Sequence, residues 1–164
     1  MSLNELVAPL GRVPLFADLE PHQLMALVRA AHRVVFQPGD PIIEAETAGQ
    51  AAFLIMQGDA ILHDPDLPAT DGAALETFTL LGEMAMLIET DYAATVRART
   101  VVRTLKFTRA AMHELMEHDV AIAEHFVSAI AARLAPVAEE LRRIDQLLAM
   151  QSAHLSASIE ATPC

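Results

Sequence analysis

Few residues of this chain can do chemistry, and most of those stand too far apart to do it together. Seven histidines fall at 22, 32, 63, 113, 118, 125 and 154, and only His63 lies where the texture is strand-like. A metal centre built on strands wants a closely spaced His-x-His and a Glu. That cluster is absent from the sequence, and His118 and His125, one heptad apart, read as a surface face. The single Cys164 excludes an internal disulfide or a thiolate-held cluster. Ser2, Ser128, Ser152, Ser156 and Ser158 all lie outside the strand-like region, so no nucleophile is placed and no catalytic residue is named. What remains is the run Leu81-Gly82-Glu83-Met84-Ala85-Met86-Leu87, followed by Tyr92-Ala93-Ala94-Thr95-Val96. An acid at the head of a short helix satisfies local N–H groups without any ligand. Tyr92 can donate or stack but supplies no positive charge. Arg97, five residues on, falls by strand parity on the opposite face.

Charge and composition narrow the classes further. The formal charge is −11, from 22 acidic and 11 basic residues, so a phosphate backbone is repelled and direct DNA binding is not expected. At 164 residues the chain is one domain by size, with 53% hydrophobic residues and a mean hydropathy of +0.32. Charged residues or His interrupt every apolar run before the ~18 residues a membrane span needs, so no membrane partner is expected. The N-terminus lacks a basic n-region, and the expectation is a cytoplasmic protein.

The elements that must position these residues follow from periodicity. Pro21 at a first helical position, with Leu24, Leu27, Val28 and Ala31 behind it, predicts a helix over 20–31. From about 33 to 107 the chain breaks into short β-leaning runs: 34–36, 42–43, 52–56, 60–62, 77–81, 95–98 and 101–107. Gly, Pro and Asp turns separate them, and His63–Ala74 reads as a polar loop. This spacing indicates a sandwich or barrel. Thr108 and Asp119 are expected to cap two helices, the first over Arg109–His118. Then Val127, Ile130, Leu134, Val137, Leu141, Ile144, Leu148, Gln151 and Leu155 alternate at spacings of three and four, an a/d heptad seam. A helix over 120–155 would run roughly 50 Å, longer than a domain of this size covers, which favours a two-fold dimer over a helix folded back on its own domain. Pro136 is expected to kink or restart that helix. The domain reading is therefore 1–118, a long helix at 119–155, and a disordered tail at 156–164.

Leu81–Leu87 with Ala93–Val96 resembles the phosphate-binding cassette of the cyclic-nucleotide-binding domain family. Gly39 after Pro38, Gly58 closing Phe53–Met56, and Val13-Pro14-Leu15-Phe16 match that family at the right offsets. The resemblance implies an α+β fold: a double-stranded β-helix, or jelly-roll barrel, of about eight short strands, with N-terminal helices and a long C-terminal dimerisation helix. It also implies that Gly82, Glu83, Met84, Ala85, Tyr92, Ala93 and Thr95 form the candidate ligand-binding cassette. In the family the cyclic phosphate meets N–H groups at the start of the cassette helix, the Glu accepts from the ribose hydroxyl, and an Arg completes the charge. Here Asp91-Tyr92 stands where Pro-Arg belongs, Glu46-Thr47 replaces a Gly-Asp turn, and Phe78-Thr79 replaces the Gly-Asp before the cassette. After Arg133-Leu134 the chain offers Val137 and Ala138, where related activators carry purine-reading hydroxyls.

Three readings of the pocket stay open: weak binding of cAMP or cGMP, a less anionic ligand, or a vestigial site. The class expected is a non-enzymatic regulatory sensor or adaptor that forms a homodimer and acts with an unknown protein partner, its nucleotide binding reduced by Tyr92. The alternative is a functional cAMP- or cGMP-binding regulatory domain acting on a separate protein. Only nine residues follow Leu155, so no helix-turn-helix reader is expected.

Overall fold

The strand-like middle of the chain folds into antiparallel pairs, and the pairing delivers the cassette to one end of a jelly roll. The structure is a computed structural model that describes residues 3–63, 68 and 72–160. Two helices lead in, α1 (Leu3–Leu10) and α2 (Pro21–Ala30), with a 3-10 turn at Pro14–Phe16 between them. Ten strands follow: β1 (His32–Phe36), β2 (Pro41–Ile43), β3 (Ala48–Gly49), β4 (Ala51–Gln57), β5 (Ala60–His63), β6 (Gly72–Leu75), β7 (Leu80–Leu81), β8 (Thr90–Asp91), β9 (Val96–Ala98) and β10 (Val102–Thr108). Helices α3 (Arg109–His118) and α4 (Val120–Glu160) complete the order. The sheets run β1-β10-β4-β7, β2-β9-β5-β6 and β3-β8.

Between the larger sheets lies a core that includes Ile43, Phe53, Ile55, Leu81, Val96 and Val102, with Phe36, Leu75 and Tyr92 packed against it. Phe16 and Phe107 meet edge-on at 5.6 Å and tie the N-terminal segment to β10. At Gly58, φ is +95° and a Cβ would sit 2.3 Å from the Val101 carbonyl oxygen. Only glycine fits that corner.

Among the described residues ten short strands form where about eight were expected. The pair β3–β8 is two residues long on each side, too short to show an alternation. The loop expected over His63–Ala74 is shorter at both ends, because His63 pairs with Gly72 and Ala74 pairs with Ile61. The strand expected over 77–81 shrinks to Leu80–Leu81, because Phe78 turns the chain with φ +68°. Helix α1 went unanticipated although Leu3, Leu6, Val7 and Leu10 hold a helical spacing; Leu6 and Leu10 are buried.

Capping follows the sequence more closely. Thr108 Oγ1 accepts from Ala111 N–H at 3.2 Å, and Asp119 Oδ1 accepts from the N–H groups of Ala121 (2.9 Å) and Ile122 (3.3 Å). Gln23 Oε1 accepts from Glu20 N–H, and its Nε2 reaches Asp119 Oδ2 at 3.4 Å, joining the starts of α2 and α4.

The chain divides into one compact unit up to His125 and a second from Phe126 onward. The sequence reading of α4 changes at Pro136 and near its end. The helix is continuous through Pro136 and does not restart there, since one lost hydrogen bond does not undo a helix that Ala, Glu, Leu and Arg propagate on both sides. It continues to Glu160, where a disordered tail was expected, because no Gly or Pro stops it before Pro163; residues 161–164 lie outside the described residues. Within Val120–Ala153 an 18-residue stretch is long and apolar enough to cross a membrane by length and composition, with a mean hydropathy of 1.4. The Ala, Val, Ile and Leu around Glu124 and Arg133 outweigh those interruptions in the average.

The heptad positions Val127, Leu134, Val137, Leu141, Ile144 and Leu148 are 47–64% exposed on the single chain, while Ile130 is half-buried. At Leu155 only the backbone is described.

Candidate ligand-binding cassette

Strand β7 pairs Leu80 and Leu81 with Leu54 and Phe53 of β4 and so fixes where the chain leaves the sheet. Gly82 then takes a left-handed conformation, φ +68° and ψ +32°, and starts a 3-10 helix over Glu83–Met86. Ala85 N–H donates to Gly82 O at 2.9 Å. Ala85, Met86 and Leu87 are buried and anchor the turn, whereas Glu83 and Met84 are half-buried.

Tyr92 folds in over this turn. Its backbone exchanges hydrogen bonds with the opposite chain, N–H to Thr47 O at 3.0 Å and O from Glu46 N–H at 2.9 Å. Its hydroxyl donates to Ala51 O at 2.8 Å. The ring fills the room left by two glycines: a Cβ on Gly82 would sit 2.6 Å from Tyr92 Cε1, and one on Gly49 would sit 3.2 Å from it. At 82 glycine is therefore needed twice, for its backbone angle and for the approach of the ring.

Glu83, Met84, Ala85, Tyr92 and Ala93 border a cavity of about 350 Å³ together with Gly82. Ile43, Leu62, Leu75, Leu80 and Val96 supply much of its wall. Among the described residues that line it, Glu83 and Asp91 are the carboxylates, and none is Lys, Arg or His. Thr95 is not part of the lining. Its Oγ1 accepts from Ala45 N–H at 2.9 Å and its carbonyl accepts from His63 N–H, so it holds strands together.

The nearest cations are engaged elsewhere. Arg97 lies 3.9 Å from Glu44 and donates to Gly39 O at 3.3 Å, in keeping with its place on the opposite face. Arg109 donates through Nη1 to Gly49 O (3.0 Å), Ile88 O (3.1 Å) and Ala85 O (3.3 Å), and its Nη2 lies 4.0 Å from Glu89. His113 Nε2 donates to Leu87 O at 2.8 Å. Together Arg109 and His113 hold the end of the cassette helix to α3. Sequence reasoning missed both. A signal existed for Arg109, a cation in the first turn of a helix where the dipole disfavours one, which suggests a partner elsewhere.

The ring of Tyr92 takes the space beside Gly82, its one proton is committed to Ala51, and among the described residues no cation lines the cavity. The fold and the Gly82–Glu83 turn nonetheless match one family. The family model described as the cyclic nucleotide-binding domain matches residues 33–119. The chain belongs to the cyclic nucleotide-binding domain family.

Its relatives are regulatory. It is 29% identical over 131 residues to the potassium/sodium hyperpolarization-activated cyclic nucleotide-gated channel 1 of Oryctolagus cuniculus, covering 70% of this chain and 14% of the channel. It is 28% identical over 109 residues to a cAMP-dependent protein kinase regulatory subunit of Blastocladiella emersonii, covering 65% of this chain and 27% of the subunit. In fold it is similar to the N-terminal domain of a transcriptional regulator from Streptomyces coelicolor A3(2), with a TM-score of 0.71, 24% identity, and 81% and 94% of the two chains covered. The chain spans a small part of the curated proteins it matches.

Proposed function

We propose that this chain is a non-enzymatic regulatory adaptor or sensor whose cyclic-nucleotide binding is weakened or lost, and which forms a homodimer through α4. The observation that carries this reading is Tyr92: its hydroxyl is bonded to Ala51 O and its ring lies against Gly82, so the position brings bulk and no charge. A charge-assisted hydrogen bond contributes about 1.5–3 kcal/mol, so its loss weakens phosphate binding by about one to two orders of magnitude. The exposed stripe from Val127 to Leu148 supports pairing of two copies, because burying it removes large aliphatic side chains from water. Glu124 and Arg133 inside the apolar stretch argue for a helix in water beside a partner rather than in a bilayer, where each charge costs about 2.5–3.5 kcal/mol. In this reading the protein acts in the cytoplasm on a separate protein.

A second reading, a working cAMP or cGMP sensor, is favoured by the Gly82–Glu83 turn, which keeps its left-handed start. Thermal unfolding of the native protein and of Tyr92→Arg, each with ~1 mM cAMP or cGMP, separates the two. A Kd near ~10 µM stabilises by about 2.7 kcal/mol, a melting shift of about 5–11 °C at this chain length. A shift only in Tyr92→Arg is expected. A shift of that size in the native protein supports the sensor and overturns the weakened-site reading.

A further inference from the structure

We infer that the cavity beside the cassette takes an uncharged small molecule with an apolar body and an N–H or O–H donor, in place of an anion. The inference rests on the reading that this site no longer captures a phosphate, and it names what the same site accepts. At about 350 Å³ the cavity falls at the lower end of ordinary ligand pockets, ~300–1,000 Å³. Ile43, Leu62, Leu75, Leu80, Met84 and Val96 offer it aliphatic and thioether surface, which attracts an apolar body and gives a charged group no solvation.

The polar lining points the same way. Asp91, exposed at the rim, is an acceptor when ionised. The proton of the Tyr92 hydroxyl is already given to Ala51 O. Arg97 is spent on Glu44 and Gly39, and Arg109 on the carbonyls of Gly49, Ala85 and Ile88. The walls therefore offer acceptors and negative charge to a ligand, which rejects anions and rewards a molecule that brings its own donor.

Two fluorescent probes with one aromatic body test this on the full chain. N-phenyl-1-naphthylamine is neutral and carries one N–H; 8-anilinonaphthalene-1-sulfonate adds a sulfonate to the same body. The neutral probe is expected to bind and the sulfonate to bind at least about tenfold more weakly. Ala94→Phe and Leu62→Trp, which fill the cavity from two sides, are each expected to weaken the neutral probe about tenfold. Leu62 is 37% exposed, so its variant is expected to fold even if Ala94→Phe does not. Asp91→Asn is expected to narrow the gap between the two probes. Absence of neutral-probe binding overturns the inference, as does equal affinity for the sulfonate. Unchanged binding in a folded cavity-filled variant also overturns it, by placing the probe elsewhere, the stripe on α4 included. Neutral-probe failure with no cAMP shift sinks this inference alone, whereas a cAMP shift in the native protein sinks the weakened-site reading with it.

Discussion

Arg109 Nη1 sits 3.0 Å from the carbonyl oxygen of Gly49, and the same nitrogen reaches Ala85 O and Ile88 O. One guanidinium from the first residue of α3 thus joins the short strand β3 to the C-terminal end of the cassette turn. His113, one helical turn further along α3, adds Leu87 O to the set. Any movement of α3 pulls on the cassette backbone through these bonds. These bonds tie the cassette backbone to α3.

Replacing Arg109 by Met keeps the aliphatic packing and removes the donors. Bonds to a charged group contribute about 1.5–3 kcal/mol, so the melting temperature is expected to fall by about 3–12 °C. Arg109→Lys is expected to recover only part of this, since its shorter side chain ends before the place Nη1 holds among the three carbonyls. Thermal unfolding of the two variants checks it, and equal melting of native and Arg109→Met sinks the clamp.

Much of this architecture could be read from local signals. Thr108 and Asp119 announced their helices because a cap is a one-residue event, and Gly58 and Gly82 marked corners because no other residue fits there. The pair β3–β8 and the clamp of Arg109 and His113 could not be read so easily. Both join segments distant in sequence through backbone groups, and a carbonyl acceptor leaves no mark in residue identity. Departures from the family pattern were the most informative positions of all. Glu46 and Phe78, where glycine was expected, keep left-handed backbones at φ +62° and +68°. The fold has held its turns and accepted the strain.

That strain gives the second prediction. A non-glycine residue in the left-handed region costs about 1–2 kcal/mol, against about 0.5–1 kcal/mol for the extra freedom glycine has when unfolded. Glu46→Gly is therefore expected to stabilise by about 0.5–1 kcal/mol, raising the melting temperature by about 1–4 °C. Phe78→Gly is expected to gain less, because it also gives up the contact of its ring with Arg12, whose guanidinium carbon lies 5.8 Å from the centroid. Differential scanning calorimetry decides it; a destabilised Glu46→Gly contradicts the argument.

Acid sensitivity is expected at the junction of α3 and α4. Desolvation pushes the Asp119 carboxyl up. The N–H bond from Ile122, the Gln23 side chain, the N–H bond from Ala121 and the charge of His22 outweigh it and hold the group below its ordinary value of 3.8. A carboxyl held low in the folded state stabilises fully above the unfolded value, and that contribution disappears as pH falls through the lowered native one. Asp119→Asn keeps a competent cap but has no charge to lose. Melting curves are expected to favour the native protein at pH 6 and to converge with the variant below about pH 3.8. A gap that stays constant down to pH 2 rules this out.

The last prediction concerns the stripe on α4. Leu141 is 58% exposed on the single chain and occupies an a position of the seam, so in a pair it would face the same residue or its neighbour across the interface. Leu141→Glu places a carboxylate there, and burying it without a partner costs more than the contact can return. Sedimentation equilibrium is expected to give twice the 17.7 kDa chain mass for the native protein and a single chain mass for the variant. Glu139→Lys, two residues back and off the seam, serves as the control and is expected to remain dimeric. A native protein that sediments as a single chain removes the dimer outright. A Leu141→Glu variant that stays paired moves the interface away from this stripe and leaves the aliphatic surface of α4 for another partner.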